Sequence, residues 1–149
     1  MGFFNGVFNN DILIASILAW LAAQTLKVVH TLIADKHFNL SRLVGSGGMP
    51  SSHSSFVMAL TSSIGLKHGW DSTIFAISFV FSMVIMYDAA GVRNAVGKQA
   101  IIINKIIEDI QDKKEKKITE QRLKELIGHT PIEVIIGAIL GIIIAKIII

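Results

Sequence analysis

The chain has 149 residues, 52% of them hydrophobic and only 17% charged, with a net charge of +3 and no cysteine. That length suits one domain, but the composition is too apolar and the charge too clustered for an ordinary soluble domain, and it points to the membrane. The lack of cysteine excludes a disulfide framework and any thiolate nucleophile or metal ligand. The positive excess, with no soluble fold to carry it, reads as membrane topology rather than nucleic-acid binding.

The N-terminus has no basic n-region, and its apolar run begins only near Asp11, so it is expected to be a retained span rather than a cleaved signal. Ile12 to Ile33 is long enough to cross a hydrocarbon core of ~30 Å. Lys27 and His30 fall near its C-terminal end, where a lysine is expected to snorkel. Ala34–Met49 reads as a polar loop. Pro50 stands beside a helix start with Ser51 or Ser52 as its cap, and that helix runs on through Phe56 and Val57 to Leu66.

Asp71 or Ser72 caps the next span, Thr73 to Ala90. It ends at Tyr87-Asp88-Ala89-Ala90-Gly91-Val92-Arg93, where charge and glycine return together. Asn94–Ile110 places Val96, Ala100, Ile103, Ile107 and Ile110 on one face, the pattern of an amphipathic helix lying on the membrane or against the bundle. The run Lys113–Lys117 reads as a solvated linker that meets anionic lipid. A short helix capped by Thr119 ends at Gly128. In the last span, Thr130, Pro131 and Glu133 form a capping-box pattern, and Gly137 and Gly141 permit close packing on another helix.

The expected fold is therefore all-α: an integral membrane bundle of about four transmembrane helices plus an amphipathic interfacial helix. It forms a single membrane domain, 1–149, with 94–128 as a cytoplasmic insert. Alternating the spans collects most lysines and arginines on one side. The positive-inside rule makes that side cytoplasmic in the cell membrane and puts both termini outside.

The same alternation brings three polar clusters to one face: Lys36 to Arg42 leading into Pro50–His53, Asp88 to Arg93, and His129 to Glu133. Cations, two histidines and a helix N-terminus suit a phosphate group. Two histidines can divide the duties of nucleophile and acid.

Pro50-Ser51-Ser52-His53 resembles the Pro-Ser-Gly-His motif of the type-2 phosphatidic acid phosphatase and vanadium haloperoxidase superfamily. His129, Glu133 and the glycine-bearing helix that follows are similar to its last motif, and Arg93 to that motif's arginine. Lys36 and Arg42 are similar to its first motif. Gly-Gly-Met-Pro-Ser-Ser-His and Tyr-Asp-Ala-Ala-Gly-Val-Arg resemble its divergent short branch. Four departures stand out: Ser52 replaces a glycine, and Glu133 an aspartate. Lys36 and Arg42 are one residue closer than usual, with no proline after Arg42. Residues 94–128 separate Arg93 from His129. A core with fewer spans than the family's also suggests completion by a homodimer.

The resemblance implies a lipid phosphate phosphatase. In that scheme His129 attacks phosphorus to form a phosphohistidine, Glu133 orients it, and His53 protonates the leaving group and later activates water. Lys36, Arg42 and Arg93, with the backbone at Ser51 and Ser52, hold the phosphate oxygens. No metal or cofactor is required, and the partner is a membrane lipid bearing a phosphate group.

Structural readings stand beside these. Capping explains Glu133 and a helix start explains His53; Arg93, Lys36 and Arg42 also serve as positive-inside anchors. Asp88 either pairs with a cation such as Arg93 or, with Glu133, binds a divalent ion. Two other functions fit the pattern: a carrier or scramblase that binds a lipid phosphate without cleaving it, and a small structural membrane protein.

Overall fold

The computed structural model describes residues 2–35, 48–114 and 128–149. Lys36, Arg42 and residues 119–127 of the expected short helix lie outside the described residues. The described chain is helical, with no strand: α1 (Phe3–Phe8), α2 (Asp11–Asp35), α3 (Ser52–His68), α4 (Thr73–Ala90), α5 (Val92–Lys114) and α6 (Pro131–Ile148).

The helix ends follow the local chemistry. Ser51 caps α3, its side chain accepting from the Ser54 N–H. Ser72 caps α4 in the same way, from the Phe75 N–H. Thr130 and Glu133 form a complete capping box at α6, with Pro131 in the first turn. Each cap satisfies backbone donors that a helix start leaves without partners. The first helix, α1, has no counterpart among the expected elements.

Among the described residues, α2, α4 and α6 are long and apolar enough to cross a membrane. Their outward side chains are large and apolar: Ile77, Val80, Phe81 and Val84 on α4, and Ile135, Ile139 and Ile143 on α6, are all more than 40% exposed. Such a surface is stable against hydrocarbon and not against water.

The helix α3 differs. It is 17 residues long, or about 26 Å at 1.5 Å per residue. Its buried face is polar: Ser52, Ser54, Ser55, Thr61, Ser62 and Ser63 all point inward. It is the hub of the bundle, packed against α2, α4 and α6. Hydrogen bonds cross these contacts. The Ser55 hydroxyl donates to the Ala19 carbonyl on α2 (3.0 Å), the Thr61 hydroxyl to the Ser78 carbonyl on α4 (3.1 Å), and the Ser82 hydroxyl back to Val57 (3.0 Å). In a medium with no water to hydrogen-bond them, such groups tie helices together.

The closest approach is between α3 and α6. A side chain added at Gly137 would meet the Ser51 carbonyl oxygen, and one at Gly141 the Ser55 carbonyl oxygen, each within 2.3 Å. The Ser51 N–H donates to the Glu133 carbonyl at 3.1 Å, locking the register.

The helix α5 leaves the bundle after Gly91 and packs only on α4 among the described elements. Its inward face is built of Gly97, Ala100 and Asn104, so of the expected apolar face Ala100 turns to the bundle while Val96 and Ile103 face outward. Ile101, Ile102, Ile103 and Ile106 are exposed, as suits an interfacial helix.

Gly141→Val should lower stability by about 1–3 kcal/mol through overpacking, read as a drop in Tm in detergent. Gly6, with open space around it, should tolerate alanine within about 0.5 kcal/mol.

Candidate functional site

Four elements meet at one end of the bundle: the C-terminal part of α2, the start of α3, the junction of α4 with α5, and the start of α6. The junction fixes His129. Its N–H donates to the Ala89 carbonyl (3.1 Å), and its carbonyl accepts from Asn94 Nδ2 (2.9 Å). Gly128 makes this approach feasible. Its φ is +144°, and a side chain there would lie about 2.5 Å from the Asn94 backbone nitrogen. Arg93 and His129, 36 positions apart in sequence, are therefore neighbours in space.

His129 is almost fully buried, at 2% exposure. Its Nδ1 lies 3.0 Å from Glu133 Oε2, and the same oxygen accepts from the Thr130 N–H at 3.0 Å. Glu133 thus caps the helix and orients the imidazole together. An ionised carboxylate only accepts, so Nδ1 carries the proton and Nε2 presents a lone pair. Nε2 is buried and has no hydrogen-bond partner among the described residues. Burial holds the His129 imidazole below its ordinary value, against the upward pull of the Glu133 hydrogen bond and charge, while Lys27 and Arg93 push in the same sense as burial. The ring is accordingly neutral near pH 7, the form with a free lone pair.

His53 stands in the first turn of α3, exposed at the edge of the cluster. Partial burial, with the charges of Arg93, His129 and Lys27, holds its imidazole below the ordinary value, against an upward pull from Asp88. Arg93 Nε binds Asp88 Oδ2 at 2.6 Å, which fixes the guanidinium from behind. Asp88 is thus a partner of Arg93, and the described residues hold no cluster of metal-ligating side chains.

Ser51 and Ser52 are buried. The Ser51 N–H is engaged by Glu133 and its hydroxyl by Ser54, so Ser51 serves the α3–α6 joint. The next N–H groups of α3, at Ser52 and His53, belong to the helix start, where backbone donors have no partner inside the helix.

The cation that sequence reasoning missed is Lys27. It is 1% exposed, so it does not snorkel to the surface. Its stem runs beside Gly48, and its charge reaches both His53 and His129. One signal was available: eight residues of α2, about 12 Å of helix, follow it. That is too deep for an end anchor. Asn94 was missed as well, because its role is to bind a backbone carbonyl remote in sequence.

Membrane-spanning helices, a polar hub and two histidines with an arginine at the helix ends are the features of an integral membrane protein with a polar site at one end of its bundle. The chain belongs to the divergent PAP2 family, whose pattern matches residues 8–144. It is 40% identical over 145 residues to the uncharacterized membrane protein YuiD of Bacillus subtilis (strain 168), covering 91% of this chain and 92% of that one. No solved structure matches it.

The lowered His129 value has a stability consequence. The unfolded chain takes up a proton near pH 6.5, whereas the folded protein resists it until lower pH. The stability from a neutral His129 is present above about pH 6.5 and is lost as pH falls below it. The Tm in detergent should decline on acidification through this range, and less so in His129→Gln.

Proposed function

We propose that this protein hydrolyses a membrane lipid bearing a phosphate monoester or diphosphate, through a phosphohistidine at His129. The observation that supports this reading most directly is the His129–Glu133 pair. It holds a neutral imidazole with Nδ1 tethered and Nε2 available, within electrostatic reach of His53, Lys27 and Arg93.

In the first step the Nε2 lone pair attacks phosphorus. The N–P bond forms, the bond to the leaving oxygen breaks, and His53, which the anionic phosphoryl group beside it favours in the protonated form, gives that oxygen its proton. The imidazolium that develops on His129 is stabilised by Glu133. In the second step neutral His53 takes a proton from water, whose oxygen attacks phosphorus. The N–P bond breaks, releasing phosphate and restoring His129. Arg93, braced by Asp88, and Lys27 offset the charge on the phosphoryl oxygens, and the N–H groups at the start of α3 add donors. With apolar surroundings these interactions are stronger than they would be in water.

On the positive-inside rule we take this site to lie at the cytoplasmic face, with both termini outside. A lipid of the inner leaflet, such as phosphatidate or phosphatidylglycerol phosphate, would then be the substrate.

The test is phosphate release by detergent-purified protein from a set of lipid phosphates. Release should be sensitive to vanadate and absent in His129→Ala. Binding without release from any lipid would identify a carrier instead. Neither binding nor release, with His53 and His129 replaceable at no cost, would identify a structural protein.

Glu133→Gln separates the two duties of that residue. Glutamine still serves a capping box, so Tm should fall by no more than the equivalent of about 1 kcal/mol. The missing negative charge should lower the rate by at least about tenfold, as at other histidines deprived of their carboxylate. Equal activity of this variant and the wild type would remove Glu133 from the mechanism.

A further inference from the structure

An apolar groove of about 370 Å³ opens beside the polar cluster, between α2, α3 and α4. Its walls are Trp20, Phe56, Val57, Phe81 and Ile85, and His53 stands at one end. That volume lies within the range of ligand-binding pockets. The helices set its direction. His53, Phe56 and Val57 step along α3 away from the polar end, and Ile85 and Phe81 do so along α4. Ala89 holds His129, so Ile85 is about 6 Å and Phe81 about 12 Å below the level of the cluster. Half the hydrocarbon thickness is about 15 Å, so the groove runs from the interface nearly to the bilayer centre. Trp20 and Phe81 are partly exposed, so it opens sideways towards lipid.

We propose that this groove holds one hydrocarbon chain of the substrate lipid, with the lipid's phosphate lying between His53 and His129. This rests on the phosphatase reading for the position of the phosphate. A second groove, of about 450 Å³ between α2 and α6, is bounded at the polar end by Met49 and Pro50 and touches none of His53, His129, Arg93 or Lys27. Of these two grooves, the first alone is lined by a histidine of the cluster, His53. A chain entering it laterally leaves its headgroup beside His53 with no need to cross the polar hub. Ile85 and Phe81, one turn apart, set how bulky a chain is accepted.

The experiment uses a phosphatidate with a photoactivatable diazirine midway along one acyl chain, mixed with the full-length protein in detergent micelles. Adducts are mapped by mass spectrometry. Label should concentrate on Phe56, Phe81 or Ile85, and Ile85→Trp should reduce it by about tenfold, the order of discrimination an apolar pocket provides. Phe81→Trp, at a half-exposed position, is a second block should the first variant fail to fold. A phosphatidylcholine with the same chain should not label the groove preferentially. Label concentrated on Ile139 and Ile143, label spread evenly over the lipid-facing helices, equal labelling by phosphatidylcholine, or no effect of either tryptophan would overturn the proposal. Labelling needs no turnover. Groove labelling without phosphate release would defeat the phosphatase reading alone, and release with label elsewhere would defeat the groove alone.

Discussion

Where α6 passes Ser51 and Ser55, Gly137 and Gly141 bring two helix backbones so close that neither glycine could carry a side chain. The remaining polar geometry follows from that crossing. It sets the start of α6 against the start of α3, and the Ser51–Glu133 backbone hydrogen bond fixes the register. His53, in the first turn of α3, and His129, just before α6, each lie within a few residues of it. The α4–α5 junction then closes over His129 from the other side, through Ala89 and Asn94. Two small residues on one helix and two serines on the other thus place groups that are 76 positions apart in the chain.

The electrostatics follow from the same packing. Charges near hydrocarbon are costly unless they meet partners. Here Arg93 meets Asp88, and Glu133 meets a histidine and a helix start. Lys27 is buried in the protein interior, and its field reaches both imidazoles. Two cations, Lys27 and Arg93, thus stand with two carboxylates, Asp88 and Glu133, in a region of low dielectric, where the field of each group is felt more strongly than in water.

Much of this was legible in the sequence because it is local. Helix caps at Ser51, Ser72 and Thr130 are written in side chains one to three residues from the donors they satisfy, and α4 ends where its apolar run ends. The small-residue pair on α6 announced a close crossing, though not its partner. That Arg93 and His129 share one face followed from the alternation of the spans; their close approach did not, since it depends on Gly128 reaching backbone atoms across an intervening segment. Lys27 was misread for a related reason: whether a lysine in a span reaches the surface or turns inward depends on neighbouring helices that hydropathy does not describe. The groove below His53 was invisible too, because its walls come from three helices and each wall residue alone looks like ordinary lipid-facing surface.

The serine-rich character of α3 has a consequence for how the molecule is made. A segment with six hydroxyl-bearing residues on its inward face gains little by partitioning into lipid alone, whereas α2, α4 and α6 carry the hydropathy of independent spans. Its hydroxyls find in the carbonyls of Ala19 and Ser78 the partners that lipid does not offer, so α3 is stable in the bilayer only beside its neighbours. His53 travels on that reluctant segment. The polar cluster is therefore complete only when α3 is packed against α2, α4 and α6.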